Sequence, residues 1–215
     1  MKKFVLISFV VLGCGFFISS FISSDKLQPV VMASPTSVSS VTGKWKLDKG
    51  HSSVRFNVTH MVVSETEGTF KSFDGTMEHT KPDYSDAKIA FTIDVNSVST
   101  DNERRDNHLK SDDFFNAEKY PQMKFESTSF QPLGNNKFKL AGNLTIRDVT
   151  KPVVFDVTYG GTIKAGKGEK SGFKATTTIN RFDYNLKWDR ATEAGSLVVS
   201  KEVEITVKAE FDSVQ

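Results

Sequence analysis

The chain has a single cysteine, Cys14, and it lies in the N-terminal region. A domain that follows it has no disulfide and no thiolate site for a metal. Such a domain is held by its hydrophobic core, for which this length is ample. An excess of one charge is missing as well. The formal net charge is +2, and the chain is balanced once Lys2, Lys3, Asp25 and Lys26 are set aside. Tight nucleic-acid binding needs a basic field, so no nucleic-acid partner is assigned. There is no Gly-x-Ser-x-Gly nucleophile motif and no glycine-rich phosphate loop leading into a helix. The four histidines, His51, His60, His79 and His108, do not have the spacing of a metal site. No acid, base, nucleophile, metal or cofactor can be assembled from these residues, so the chain does not read as an enzyme.

The first residues set the compartment. Met1-Lys-Lys3 is followed by a largely apolar run from Phe4 to Ile22. Residues 1–33 read as a secretory signal, with Val31-Met-Ala33 before Ser34 as one cleavage site and Ser24 as another. The run is also long enough for a retained membrane segment, and Val11-Leu-Gly-Cys14 resembles a lipoprotein box. Each reading makes the protein periplasmic or secreted, with or without an anchor. Residues 34–42 form a linker rich in small residues, and one domain runs over 43–213.

What the chain does have is alternation. Val54–Thr59, Ile89–Val95, Phe138–Ile146, Val153–Tyr159, Phe173–Ile179 and Val203–Phe211 place apolar residues on one face and polar ones on the other. Trp45–Leu47, Gly68–Phe70, Phe73–Met77 and Met123–Phe125 supply shorter strands. Lys81-Pro-Asp83, Pro132-Leu-Gly-Asn-Asn136, Gly160-Gly161 and Gly166-Lys-Gly168 read as turns or loops. The pattern predicts an all-β domain of eight or more antiparallel strands, a sandwich or a barrel, with one short helical insert at Asp101–Leu109. The amount of aromatic material facing one way favours an eight-stranded antiparallel barrel. That insert, from Thr100 to Tyr120, breaks the alternation and concentrates charge.

The 18 phenylalanines bear on the interior. Phe56, Phe70, Phe91, Phe125 and Phe155 fall in phase with Val58, Ile93 and Val157. An eight-stranded barrel either fills its inside with such side chains or leaves room for one ligand. Phe114 and Phe115 of the insert are expected to turn toward the apolar interior. Arg105 and His108 are read as braces of the rim, or as contacts for a polar head group at the mouth.

The order of several spaced elements resembles the YceI-like family. They are Trp45-x-Leu-Asp48, His51-Ser-Ser-Val-Arg-Phe-x-Val-x-His60 and Gly68-x-Phe-x-x-Phe-x-Gly75, then Ser97-Val-Ser-Thr100 and Arg105-Asp-x-His-Leu109. Asp113-Phe-Phe115, Tyr120-Pro121, Gly142-Asn-Leu-Thr-Ile146 and Ile179-Asn-Arg-Phe-Asp183 follow. The resemblance implies an exported, lipocalin-like barrel that holds a polyisoprenoid, an isoprenoid-quinone tail or a fatty-acid-like amphiphile. The ligand-binding residues expected on this reading are Phe56, Val58, Phe70, Phe91, Ile93, Phe114, Phe115, Phe125, Phe155 and Val157, with Arg105 and His108 at the head group. A long-chain lipid is then the ligand, and the reading admits a membrane contact for loading and a homodimer. The rival reading is a stress-response interaction module whose barrel is filled solid.

Overall fold

The computed structural model describes residues 43–195 and 197–214. The expected signal or membrane segment and its linker lie outside the described residues. Three of the strands are broken in the middle. Strands β1 (Gly43–Leu47) and β2 (Ser53–His60) are two halves of one long strand, as are β3 (Ser64–Phe70) and β4 (Phe73–His79). Strand β5 (Lys88–Asp94) continues through a 3-10 turn into the two-residue β6 (Val98–Ser99). The rest are continuous: β7 (Gln122–Gly134), β8 (Lys137–Ile146), β9 (Val149–Ala165), β10 (Gly168–Asn180) and β11 (Val199–Ser213).

Each strand pairs antiparallel with the next in the chain, and the first returns to the last. β1 pairs with both β4 and β11, β2 with both β3 and β11, and β3 with β6. Counting each broken strand once, the ring is an eight-stranded up-and-down barrel. The breaks are bridged by backbone bonds: Lys71 N–H donates to Ser97 O at 3.1 Å and Asp94 N–H to Ser72 O at 2.9 Å. Closure leaves no free edge around most of the wall.

The ladder between β9 and β10 stops at Asp156 and Thr176. Toward the mouth the two strands part, and the Thr177 hydroxyl donates to Val154 O at 2.9 Å across the gap. Pro152, which has no N–H to give, sits on this unpaired edge of β9, where a proline costs no ladder bond.

One turn assignment changes in the structure. Gly160-Gly161 is a bulge inside β9, with Gly161 opposite Gly172 and Tyr159 opposite Phe173. The turn read at Pro132–Asn136 is made by its last two residues, Asn135 and Asn136, both at positive φ (49° and 58°), while Pro132 and Gly134 lie at a register shift within β7. The stretch read as Met123–Phe125 is a 13-residue strand, because Ser127–Ser129 lack the apolar phase that marks a strand in sequence.

The helix α1 (Glu103–Lys110) lies in the connection from β6 to β7. Asn102 caps it, its side chain accepting from Arg105 N–H at 3.0 Å. No residue of α1 is buried, so the helix is held by its ends rather than by an apolar stripe.

Candidate functional site

The barrel interior divides into two halves. Near the free end of β1 it is packed with rings. Trp45 stacks on His79 with centroids 5.8 Å apart, and Tyr84 lies 4.5 Å from His79. Phe130 stacks on Phe138 at 4.5 Å, and Tyr159 lies 5.2 Å from Phe173. Tyr84 comes from the β4–β5 loop and closes this end from below. Its hydroxyl meets Thr162 Oγ1 at 3.0 Å and Ser171 Oγ at 3.1 Å, and Tyr159 OH donates to Thr162 Oγ1 at 2.6 Å. Burial pushes the Tyr159 phenol up to about 12. These hydroxyls satisfy one another and leave this half closed.

The other half is hollow. A cavity of about 160 Å³ lies there, and no polar atom is exposed on its wall. Its lining includes Val54, Phe56, Val58, Phe70, Ile89 and Phe91 from the first three strands. Phe125, Leu140, Leu144, Phe155, Ile179 and Ile205 complete the circuit.

The cavity exists because three interior rings lie against glycines instead of reaching across the barrel. Phe56 faces Gly68 on β3, and a Cβ built on Gly68 would stand 2.2 Å from the ring. Phe91 faces Gly75 on β4, with its ring 3.1 Å from such a Cβ. Phe125 lies over Gly142 on β8, where the distance would be 2.4 Å. An inward glycine gives the ring of the neighbouring strand a place to lie flat.

The mouth is built by the insert, the β8–β9 turn and the β10–β11 connection. Phe114 and Phe115 are buried and line the cavity from above. Phe115 packs edge-on against Phe70 at 5.8 Å, and Phe114 lies 5.8 Å from Trp188. Two buried arginines staple these loops. Arg147 Nη1 donates to Asp112 O, Phe114 O and Asn185 O at 2.8 to 2.9 Å, and Nη2 meets Asp112 Oδ1 at 2.6 Å. Arg181, 2% exposed, donates through Nε to Ser200 O at 2.8 Å and through Nη1 to Trp188 O at 2.6 Å. Its Nη2 donates to Val199 O at 3.1 Å. Burial lowers the Arg181 pKa from its usual value. Since its nitrogens face carbonyls, Arg181 lines the cavity without presenting charge to it.

Of the residues singled out in the sequence, Phe56, Val58, Phe70, Phe91, Ile93, Phe114, Phe115, Phe125 and Phe155 line the cavity. Val157 points the same way but is buried, outside the cavity lining. Arg105 and His108 are not on the cavity wall. Arg105 Nε donates to Thr100 Oγ1 at 2.7 Å and Nη2 to Thr100 O at 2.8 Å. His108 Nε2 meets Asp113 Oδ2 at 2.8 Å, and its ring lies edge-on to Phe114 at 5.1 Å. Both brace the insert. Arg147 was not singled out in the sequence, and Arg181 and the three glycines stood there only within the family-like motifs, with no role given to them. The signal for the glycines was a Gly in the inward phase of an alternating run, as in Gly68-Thr-Phe70.

A second cluster lies outside the barrel. Asp48, His51 and Glu210 bring ligand-type atoms together, but Lys170 Nζ already sits 2.9 Å from Asp48 Oδ2 and from Glu210 Oε1. It also lies 2.7 Å from Asp212 Oδ1. Lys170, followed by His51, holds the Asp48 carboxyl well below the usual carboxylate range. The cluster clamps the break between β1 and β2 to β10 and β11, with an ammonium in the place of a metal.

Comparison with known proteins agrees with this architecture. Residues 45–211 match the YceI-like domain. A UPF0312 protein of Staphylococcus aureus strain N315 is 37% identical over 166 residues, spanning 76% of this chain and 94% of that one. The crystal structure of the Campylobacter jejuni YceI protein aligns with a TM-score of 0.63 and 34% identity, covering 73% of this chain and 90% of its own. Burkholderia cenocepacia BcnA aligns at 0.65 with 26% identity, covering 76% and 98%. A polyisoprenoid-binding domain from Saccharophagus degradans shares the fold, at a TM-score of 0.59 and 16% identity over 79% and 98%. The chain belongs to the YceI-like family.

Proposed function

We propose that the protein is an exported carrier that holds a long neutral lipid chain, of the polyisoprenoid or isoprenoid-quinone type, in the hollow half of its barrel. The observation that carries this reading is the cavity wall, which is apolar on every side with no polar atom exposed. The description of the Saccharophagus degradans neighbour as polyisoprenoid-binding supports the isoprenoid class. A fatty acid would bring a carboxylate, and the two arginines among the lining, Arg55 and Arg181, are already committed to Glu67 and to backbone carbonyls. The basic start Met1-Lys-Lys3 and the apolar run after it support export.

Size sharpens the reading. A dry apolar cavity of about 150 Å³ admits benzene, so the hollow as it stands takes a body of about six carbons. Six carbons removed from water give roughly 5 kcal/mol gross at about 0.8 kcal/mol per carbon. Association costs at least about 4 kcal/mol, so so short a chain gains almost nothing. A useful ligand is longer and extends toward the mouth.

Native mass spectrometry and solvent extraction of protein purified from a bacterial host test this. A long-chain lipid of defined mass is expected to leave with the protein. A barrel that carries no lipid, and takes up no added polyprenyl alcohol, overturns the reading in favour of an interaction module.

A further inference from the structure

At the mouth, the β2–β3 turn does what hairpin turns avoid. His60 and Ser64 are the last paired residues, and Val63 N–H donates back to His60 O at 3.3 Å. The central residues are Met61 and Val62, at φ 50° and 66°. A turn with both central residues at positive φ calls for Asn-Gly, and the Asn135-Asn136 turn at the far end of the barrel is close to that rule. A β-branched valine in the left-handed region is a costly exception. The side chains are costly in a second way. Met61, Val62 and Val63 are 49%, 68% and 87% exposed. Among the other described residues the large exposed apolar ones, such as Leu133 and Ile163, are isolated along the chain, which is ordinary for a protein surface.

We propose that the tip Met61–Val63 is a membrane-docking element that sets the mouth of the barrel against a lipid bilayer. Its place argues for this occupant. Met61 N–H donates to Val198 O at 2.8 Å, the next residue, Val199, lines the cavity, and so does Val58 on β2. The tip is therefore continuous with the apolar hollow. Its size argues the same way. A stable protein interface buries about 1,200 Å² or more, whereas a turn of three residues offers far less and is convex. A bilayer needs no complementary shape and takes apolar side chains into its interfacial layer. The strain is kept because Asn-Gly would ease the turn and lose the contact. That docking serves loading rests on the carrier reading; the docking itself does not.

The test reads which end of the full chain meets a bilayer. With Cys14→Ser, a polarity-sensitive fluorophore is placed at Val63→Cys or, at the opposite end, at Leu133→Cys. Vesicles of phosphatidylethanolamine and phosphatidylglycerol carry a lipid-bound quencher. Quenching is expected at position 63 and not at 133. Adding Met61→Asn and Val62→Gly is expected to reduce quenching at 63 several-fold while leaving the melting temperature unchanged or raised, since this pair suits the turn. Equal quenching at both ends, none at either, or persistence in the Asn-Gly variant overturns the proposal. A blue shift at 63 that grows with protein concentration without vesicles also overturns it, in favour of a second copy. Uptake of farnesol dispersed in buffer separates the two readings. The Asn-Gly variant should retain it, and a parent protein that takes up none overturns the carrier reading while the docking result stands.

Discussion

Gly68 decides how wide the lumen is. Its missing side chain is what lets the Phe56 ring lie against β3, and a methyl there would stand 2.2 Å from that ring. The ring therefore has to swing off the wall, and the space it enters is the cavity. Gly142 is less clean, because a methyl there would also meet the Glu126 carbonyl at 2.5 Å and strain the backbone. Gly68→Ala is thus the informative change. It should abolish or sharply reduce uptake of a polyprenyl alcohol, and cost about 1–3 kcal/mol of stability through overpacking. Adding Phe56→Leu removes the displaced ring and should restore uptake. Titration of both variants by intrinsic fluorescence checks this, and uptake unchanged in Gly68→Ala would mean that the ring does not border the ligand path. Arg147 shows the opposite use of a backbone exception. It holds φ 56° in the two-residue β8–β9 turn, where glycine is favoured, and its guanidinium meets four groups that otherwise lack a common partner.

The insert is the element whose hold on the barrel depends on pH. α1 has no fully buried residue and sets only Leu109 partly against the core, so the connection is fixed mainly by Phe114 and Phe115 and by polar ties. Asp112 gathers the ties: Lys187 Nζ at 2.9 Å, Arg147 Nη2 at 2.6 Å and Asn116 Nδ2 at 2.8 Å. Lys187 first, then Arg147, hold its carboxyl down to about 2 from 3.8. A carboxyl lowered on folding stabilises the fold above its unfolded pKa, and that contribution is lost as pH falls through the folded one. The ties should therefore weaken between about pH 4 and pH 2. Trp188, edge-on to His108 and beside Phe114, reports the change, so its fluorescence should shift over that window. In Asp112→Asn the shift should be absent or much reduced. The existence of this element was legible in the sequence, since Thr100–Tyr120 alone breaks the alternation. Its polar ties were not. Arg147 lies 35 residues from Asp112, and no local pattern joins them.

At the scale of the molecule, the strand faces were legible and the division of the interior was not. Period-two alternation fixes which side chains point inward, which is why Phe56, Phe91 and Phe155 could be placed on one face. Whether an inward ring fills the barrel or lies on its wall depends on what stands across from it, and that is a matter of register between strands. Val157 and Phe155 share a phase, yet only Phe155 borders the cavity. The outcome is one barrel with two kinds of interior, and the two should respond differently to ligand. Amides beside Trp45, Met77 and Phe130 sit in the packed half and should exchange with solvent only on global unfolding. Those of Leu109, Phe115 and Ile179 border the hollow and should exchange through local opening of the mouth. A ligand at about 100 times its Kd stabilises the native state by about 2.7 kcal/mol, so globally exchanging amides slow about a hundredfold. If the insert covers the ligand, opening the mouth releases it, and the mouth amides slow by a similar factor. The Gly166–Lys167 turn, far from the cavity, should not change. Hydrogen exchange with and without a polyprenyl alcohol checks this. Slowing in the packed half without slowing at the mouth would mean that the ligand stays bound while the insert opens, and that the lid over the hollow is not the insert.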